Sequence, residues 1–329
     1  MGKTFISALE VYLPERIVSN QEIEEMISLN DSGIEGGLIG KVFGIQTRRF
    51  AGQEIQVSDL ACLAAKKILE KHQKVIDLLI FAAASSDLIE PATANIVQSK
   101  LGLSCPAMDI KNACNSVVSA IHVASAFVEA GIYKNVLIVS GEKLSMVINF
   151  NPRDPVHLLR CASGYSLGDA GAALIVGTEQ GSEIIYQRFG TWGQYWPLCT
   201  VEGGGSMAFR SPEKYYFEGK TKEMKDVFIE KGVPFINECF SEAGWTKDEV
   251  DCVITHQVAS SIPAVIANGI EMPLEKFTNP FHKYGNTAAT SIPLALNDAI
   301  EEGRIKKGDK VMILGLAAGI SISVQFIIW

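Results

Sequence analysis

The sequence lacks any run of basic residues longer than a pair, and it lacks an apolar run long enough to span a bilayer. It has 29 Lys and Arg against 37 Asp and Glu, a formal net charge of -8, which argues against nucleic acid as a partner. The first residues include a glutamate and no apolar core of a signal peptide. We therefore expect a cytoplasmic protein with no membrane span and no nucleic-acid partner.

The sequence also lacks any pattern of paired cysteines. The chain has 7 cysteines, an odd number, with no CxxC motif and no metal-ligand spacing to its 5 histidines. Reduced thiols are the simplest interpretation of such a set. Neither a metal nor a redox cofactor is expected.

Short apolar runs alternate with amphipathic stretches along the chain. The runs predict buried strands at 76–84, 107–110, 136–140, 172–176, 251–255, 311–314 and 321–328. Apolar residues at three- and four-residue spacing predict helices at 57–71, 92–101, 116–130, 223–243 and 291–302. The alternation indicates a layered α/β architecture, and 329 residues suit two domains or one duplicated domain.

An internal repeat favours duplication. A turn, a helix, a glycine and a strand follow Cys114, and the same succession follows Asn286. One separation, 172 residues, relates Cys114 to Asn286 and Gly131 to Gly303. We therefore expect two similar halves, 1–171 with the cysteine and 172–329 with a histidine and the asparagine.

Three residues stand where strands end and helices begin. Cys114 lies at the predicted start of helix 116–130, where the helix dipole is expected to lower the thiol pKa. His256 closes the strand 251–255, and Asn286 precedes the helix 291–302. Taken singly, a core cysteine, a structural histidine and a turn asparagine are the commoner roles.

Taken together, the three fit one chemistry. Condensation of acyl thioesters needs a nucleophilic sulfur and neutral donors for an enolate or tetrahedral oxyanion. Histidine can donate from Nε2 while neutral, and a carboxamide has no acidic proton that would quench a carbanion. The set is consistent with a condensing enzyme.

Several longer motifs carry a family resemblance. They are Asp109-Ile-Lys-Asn-Ala-Cys114, Leu167-Gly-Asp-Ala-Gly, His256-Gln, Tyr284-Gly-Asn286-Thr-Ala-Ala-Thr-Ser and Gly303-Arg-Ile-Lys-Lys-Gly-Asp. In this order they resemble 3-oxoacyl carrier-protein synthase III and its relatives. The resemblance implies a duplicated five-layered αβαβα thiolase-like fold, a homodimer, and a catalytic triad of Cys114, His256 and Asn286. It also implies an oxyanion hole at the backbone N–H groups of Cys114 and Ala318, with acyl-CoA or acyl-carrier-protein thioesters as substrates.

One departure distinguishes the chain from the synthases that condense primers. Glu90 replaces the apolar residue usual before Pro91, and segments 87–94 and 43–49 are more similar to the OleA group and to pyrone and dialkylresorcinol ketosynthases. In those relatives the matching glutamate enters the neighbouring active site as a base. Alternatively, Glu90 caps the helix 92–101 or faces solvent.

The resemblance leaves the second substrate open. A plain acyl or 3-oxoacyl thioester needs a base such as Glu90 of the partner subunit, whereas malonyl carrier protein gives its carbanion by losing carbon dioxide. Segment 36–45 has neither the Trp nor the Arg that holds the coenzyme A adenine in the primer-condensing enzymes, which leaves the thiol carrier open. An inactive acyl-binding subunit is a third alternative, disfavoured because Cys114, His256 and Asn286 are all present.

Overall fold

The computed structural model describes residues 2–27 and 37–329, so Gly36 of the segment 36–45 lies outside the described residues. The strands are Phe5–Tyr12 (β1), Arg16–Ser19 (β2), Thr47–Phe50 (β3), Leu78–Ala82 (β4), Ala107–Ile110 (β5), Asn135–Lys143 (β6), Asp169–Gly177 (β7), Ser182–Thr191 (β8), Cys199–Thr200 (β9), Glu218–Gly219 (β10), Cys252–Thr255 (β11), Lys310–Ala317 (β12) and Ser321–Ile328 (β13). The α-helices are Asn20–Met26 (α1), Leu38–Phe43 (α2), Val57–His72 (α3), Thr93–Leu101 (α4), Ser116–Glu129 (α5), Pro155–Cys161 (α6), Thr221–Val227 (α7), Val233–Ala243 (α8), Ile262–Gly269 (α9), Phe281–Tyr284 (α10) and Ser291–Glu301 (α11).

Nine strands form the main sheet system, in the order β11-β12-β13-β8-β1-β7-β6-β4-β5. On one side β4 is parallel to β6, and β6, β7 and β1 follow as antiparallel neighbours. On the other side β11 is parallel to β12, and β12, β13 and β8 follow in the same antiparallel way. The two sides therefore repeat one topology, and the β1–β8 pairs Phe5↔Glu183 and Ile6↔Ser182 join them.

Helices cover both faces of each sheet, because alternate strand residues point to opposite sides. In β4, Leu79 and Phe81 pack in the cluster of α3 and α4, whereas Leu78 and Ile80 pack in that of α5. In β12, Val311 and Ile313 share a cluster with α11, whereas Met312 and Leu314 pack in that of α8 and α9. The result is five layers: α3 with α4, a sheet, α5 with α11, a sheet, and α8 with α9.

The duplicated, five-layered α/β architecture predicted from the sequence is confirmed. The division of the chain at residue 171 stays a prediction, since that residue lies within β7, which pairs with β1 and β6. The prediction of one continuous helix over 223–243 is wrong. This segment is divided into α7, a π-helical turn at Phe228–Gly232 and α8, because Pro234 has no N–H for the helix ladder and its ring excludes the carbonyl four residues earlier.

Candidate active site

Cys114 lies in a tight turn between β5 and α5. Asn115 is the N-cap of α5, and Ala113 has a φ of 47°, in the left-handed region that few non-glycine residues adopt. The Ser116 hydroxyl accepts the N–H of Asn112 at 2.8 Å and donates to the carbonyl of Ala113 at 2.7 Å. These bonds fix the turn, so that the cysteine stands at the helix entrance as predicted.

A buried asparagine joins this turn to the end of the chain. Asn115 Nδ2 donates to the carbonyl and hydroxyl of Ser321 at 3.1 and 3.0 Å. Its Oδ1 lies against Gly315, where an added Cβ would come within 2.0 Å of that oxygen. The sequence motifs gave no sign of this role, since an asparagine before a helix is typical of an ordinary cap.

The backbone N–H groups of Cys114 and Ala318 act on the thiol of Cys114. Burial raises the pKa of this thiol, with Cys199 and Glu142 adding to the rise, while the two N–H groups lower it. The expectation of a lowered pKa is therefore wrong for the resting site, because burial outweighs the favourable donors. The oxyanion hole expected at the backbone N–H groups of Cys114 and Ala318 stays a prediction.

His256 follows β11 and is fully buried. Its backbone N–H donates to the carbonyl of Leu314 in β12 at 3.1 Å, but neither ring nitrogen has a hydrogen-bond partner among residues 2–27 and 37–329. Burial lowers the pKa of His256 to about 3. The ring is consequently neutral at pH 7 and has one N–H to offer to a substrate.

Asn286 is held in a turn before α11. Its backbone N–H donates to Ser166 at 2.8 Å, and its carbonyl accepts the N–H of Gly168 at 3.0 Å. The side-chain Oδ1 accepts the N–H of Ala288 at 2.9 Å. This bond assigns the oxygen, and it leaves Nδ2 without a partner in the described part of the chain.

The turns that carry the three predicted residues converge on one hydrophobic cluster. Ala288 belongs to this cluster, and Cys114, Ala259 and Ala84 pack against it. In addition, the N–H of Gln257, next to His256, donates to the hydroxyl of Ser291 at the start of α11, at 2.9 Å. The structure thus brings the cysteine, histidine and asparagine turns to this one cluster.

Glu90 lies apart from these turns, on the surface of the chain. It does not cap α4, because the two carboxylate oxygens of Asp109 already accept the N–H groups of Thr93 and Ala94, at 2.9 and 2.7 Å. The alternative of a helix cap is therefore wrong. Leu88 and Ile89, directly before it in the chain, are 52% and 73% exposed, so two apolar side chains face outward beside this position.

Within residues 2–27 and 37–329, no group of three or more His, Cys, Asp or Glu side chains is arranged to hold a metal ion. No helix in those ranges is both long and apolar enough to cross a membrane.

A cysteine at one helix entrance and an asparagine before the equivalent helix, in a repeated five-layered α/β frame, are the arrangement expected of a thiolase-fold condensing enzyme. Residues 108–193 match the family described as 3-Oxoacyl-[acyl-carrier-protein (ACP)] synthase III, and residues 240–329 match its C-terminal part. The beta-ketoacyl-[acyl-carrier-protein] synthase III of Clostridioides difficile is 32% identical over 336 positions, covering 99% of this chain and 98% of the relative. The chain belongs to the 3-oxoacyl-[acyl-carrier-protein] synthase III family.

Solved structures agree with this assignment. Cerulenin-bound OleA from Xanthomonas campestris has a TM-score of 0.89 at 25% identity, covering 99% of this chain and 97% of OleA. The 3-oxoacyl-[acyl-carrier-protein] synthase III of Aquifex aeolicus has a TM-score of 0.85 at 29% identity, covering 99% and 100%. The predicted thiolase-like fold and family are therefore confirmed, and the similarity extends to both kinds of condensing enzyme.

Proposed function

We propose that the chain is a ketosynthase that acylates Cys114 and condenses this acyl group with a second acyl or 3-oxoacyl thioester without decarboxylation. In the first step the Cys114 sulfur attacks the thioester carbonyl of an acyl-CoA or acyl carrier protein. The oxyanion accepts hydrogen bonds from the N–H groups of Cys114 and Ala318. Collapse expels the carrier thiolate, which takes up the proton that the Cys114 thiol releases.

In the second step Glu90 of the partner subunit removes a proton from the α-carbon of the second thioester. His256 Nε2 and Asn286 Nδ2 donate to the enolate oxygen, and both are neutral donors. The carbanion attacks the Cys114 thioester and expels the cysteine thiolate, which leaves a β-ketoacyl thioester. No cofactor takes part in either step.

The observation that carries the base role is the position of Glu90. Asp109 occupies the N-terminus of α4, so the exposed carboxylate of Glu90 has no structural task in the described chain. It projects from a segment with two exposed apolar side chains, a surface typical of contacts between subunits. We propose a homodimer in which this segment enters the neighbouring site. The free state of all seven cysteines supports the cytoplasm as its location.

The test is a Glu90→Gln variant. We expect it to acylate Cys114 as the wild type does, seen by intact-mass spectrometry, and to form no product from a non-malonyl second thioester. Glu129→Gln is the matched control, since Glu129 is also exposed and lies about 20 Å from Cys114 at the far end of α5. Full condensation by Glu90→Gln would remove the base role.

A decarboxylative reaction with malonyl carrier protein is the second candidate, favoured by the names of the curated relatives. It requires the same cysteine, histidine and asparagine but no base. Release of labelled carbon dioxide from carboxyl-labelled malonyl thioester, retained in Glu90→Gln, would establish it instead.

A further inference from the structure

Glu142 is a fully buried carboxylate at the end of β6, and it has no place in the mechanism above. Its Oε1 accepts the N–H groups of Ala84 at 2.7 Å and Ala289 at 3.2 Å. Its Oε2 accepts the N–H and the hydroxyl of Ser85 at 3.0 and 2.7 Å. Four donors thus converge on one carboxylate, and three of them are backbone groups that cannot turn away.

The two donors on Oε1 come from different halves of the chain. Ala84 follows β4 and begins the segment that leads to Glu90. Ala289 lies in the turn that Asn286 opens, one residue after the N–H that orients the asparagine carboxamide. A single oxygen therefore fixes the distance between the asparagine turn and the segment proposed to serve the neighbouring subunit.

We propose that Glu142 is a positioning residue for condensation, holding the Asn286 turn and the start of the Glu90 segment in register. The proposal rests on the proposed function of Asn286 as an enolate donor. Acylation of Cys114 needs neither of the two turns, because its oxyanion donors come from Cys114 and Ala318. Condensation needs the carboxamide to be correctly placed, and a misplacement of about 1 Å is enough to slow a reaction roughly 100-fold.

Two substitutions separate the reach of the Glu142 side chain from its charge. Glu142→Asp keeps the charge, but it is one methylene shorter, so its oxygens cannot reach both Ala84 and Ala289. Glu142→Gln keeps an oxygen that can bridge Ala84 and Ala289, but it loses the charge and its amide nitrogen cannot accept the N–H of Ser85.

We expect Glu142→Asp to acylate Cys114 at a rate within about twofold of wild type and to lose roughly 10- to 100-fold in the kcat of condensation. The loss should appear with every second thioester that the wild-type enzyme condenses. Glu142→Gln should lose less in condensation than Glu142→Asp.

The negative charge of Glu142 gives a second readout, the pH profile of Cys114 alkylation, which a purely structural role would not change. The titratable groups whose charges act on the Cys114 sulfur are Cys199 and Glu142, and both raise its pKa. Loss of the Glu142 charge should therefore move the pH profile of Cys114 alkylation by iodoacetamide to lower pH in Glu142→Gln. The profile should stay in place in Glu142→Asp.

Thermal unfolding confirms that each variant is folded before its kinetics are compared. The proposal is overturned if folded Glu142→Asp condenses within twofold of wild type, or if it loses acylation and condensation equally. If Glu142→Asp does not fold, Glu142→Gln decides: an equal loss of acylation and condensation, with an unmoved alkylation profile, overturns the proposal too. Failure of the Glu90 base role is a separate result, because it appears as full condensation by Glu90→Gln while the loss in Glu142→Asp remains.

Discussion

At the scale of single residues, the site depends on groups that are buried in their neutral form. His256 has no partner for either ring nitrogen among the described residues, and burial keeps its pKa near 3. A buried imidazole without partners costs the fold free energy, which the structure as a whole must offset. Because the His256 ring stays neutral, it can donate a hydrogen bond at physiological pH without acting as an acid.

This burial makes the stability of the protein depend on pH. Between pH 6.5 and 3 the unfolded chain protonates His256 and the folded chain does not, so the free energy of unfolding falls as the pH falls. At pH 4.5 the loss from this residue is roughly 3 kcal/mol, from about two pKa units. We expect His256→Gln to lose less stability than wild type between pH 6.5 and 4.5, measured by urea denaturation. Equal losses would show that the ring is protonated in the folded state.

The sequence predicted the positions of Cys114, His256 and Asn286 at strand and helix ends better than their environment, and their catalytic roles stay a prediction. Cys114, His256 and Asn286 are recognisable because each stands where an apolar period stops, and backbone geometry then determines its position. The thiol pKa was not predictable, because it depends on burial and on Glu142 and Cys199, which lie 28 and 85 residues away along the chain. Asn115 and Glu142 were missed for the same reason, since their partners are distant in sequence.

At the scale of elements, the turns that lead to α5 and α11 share a positive φ, although a 3-10 turn at Ala288–Thr290 precedes only α11. The residue before each key side chain has a positive φ, 47° at Ala113 and 68° at Gly285. Glycines with φ of 71° and 66° follow the two helices at Gly131 and Gly303, so the separation of 172 residues holds for backbone conformation too. These pairs support the proposed duplication.

The contact between Asn115 and β12 gives a prediction at this scale. In Gly315→Ala the new Cβ would meet Asn115 Oδ1 at 2.0 Å and Ser323 Oγ at 2.3 Å, so the asparagine must move. We expect a loss of about 1 to 3 kcal/mol in the free energy of unfolding and slower acylation of Cys114, followed by intact mass. Gly205→Ala is the control, because a Cβ there has no neighbour within 4 Å. Unchanged acylation in folded Gly315→Ala would contradict the role of Asn115.

Strands were predicted where apolar residues run without interruption and missed where they do not. The predicted strand 107–110 matches β5, and 321–328 matches β13. β1 and β8 carry charged or amide side chains such as Glu10, Gln187 and Arg188, so their sequences show no buried run. Their strand character comes from pairing with β7 and β13. The hydrophobic periodicity of a single sequence does not reveal this pairing.

At the scale of the whole molecule, the proposed function requires two chains. Coexpression of a Cys114→Ala subunit with a Glu90→Gln subunit tests this requirement. A mixed dimer has one site with both an intact cysteine and an intact partner glutamate, so random pairing should restore about a quarter of the wild-type condensation activity. Each variant alone should be inactive with a non-malonyl second thioester. No recovery in a purified mixed dimer would contradict the role of Glu90 of the partner subunit.

Asp109 has a consequence for how enzymes of this kind change their chemistry over generations. Since Asp109 accepts the N–H groups at the start of α4, a substitution of Glu90 removes no helix cap. On the proposed mechanism, one nucleotide change at the codon for Glu90 can remove the base while the acylating machinery stays whole. Few mutations would then separate an enzyme that deprotonates an acyl thioester from one that decarboxylates a malonyl thioester.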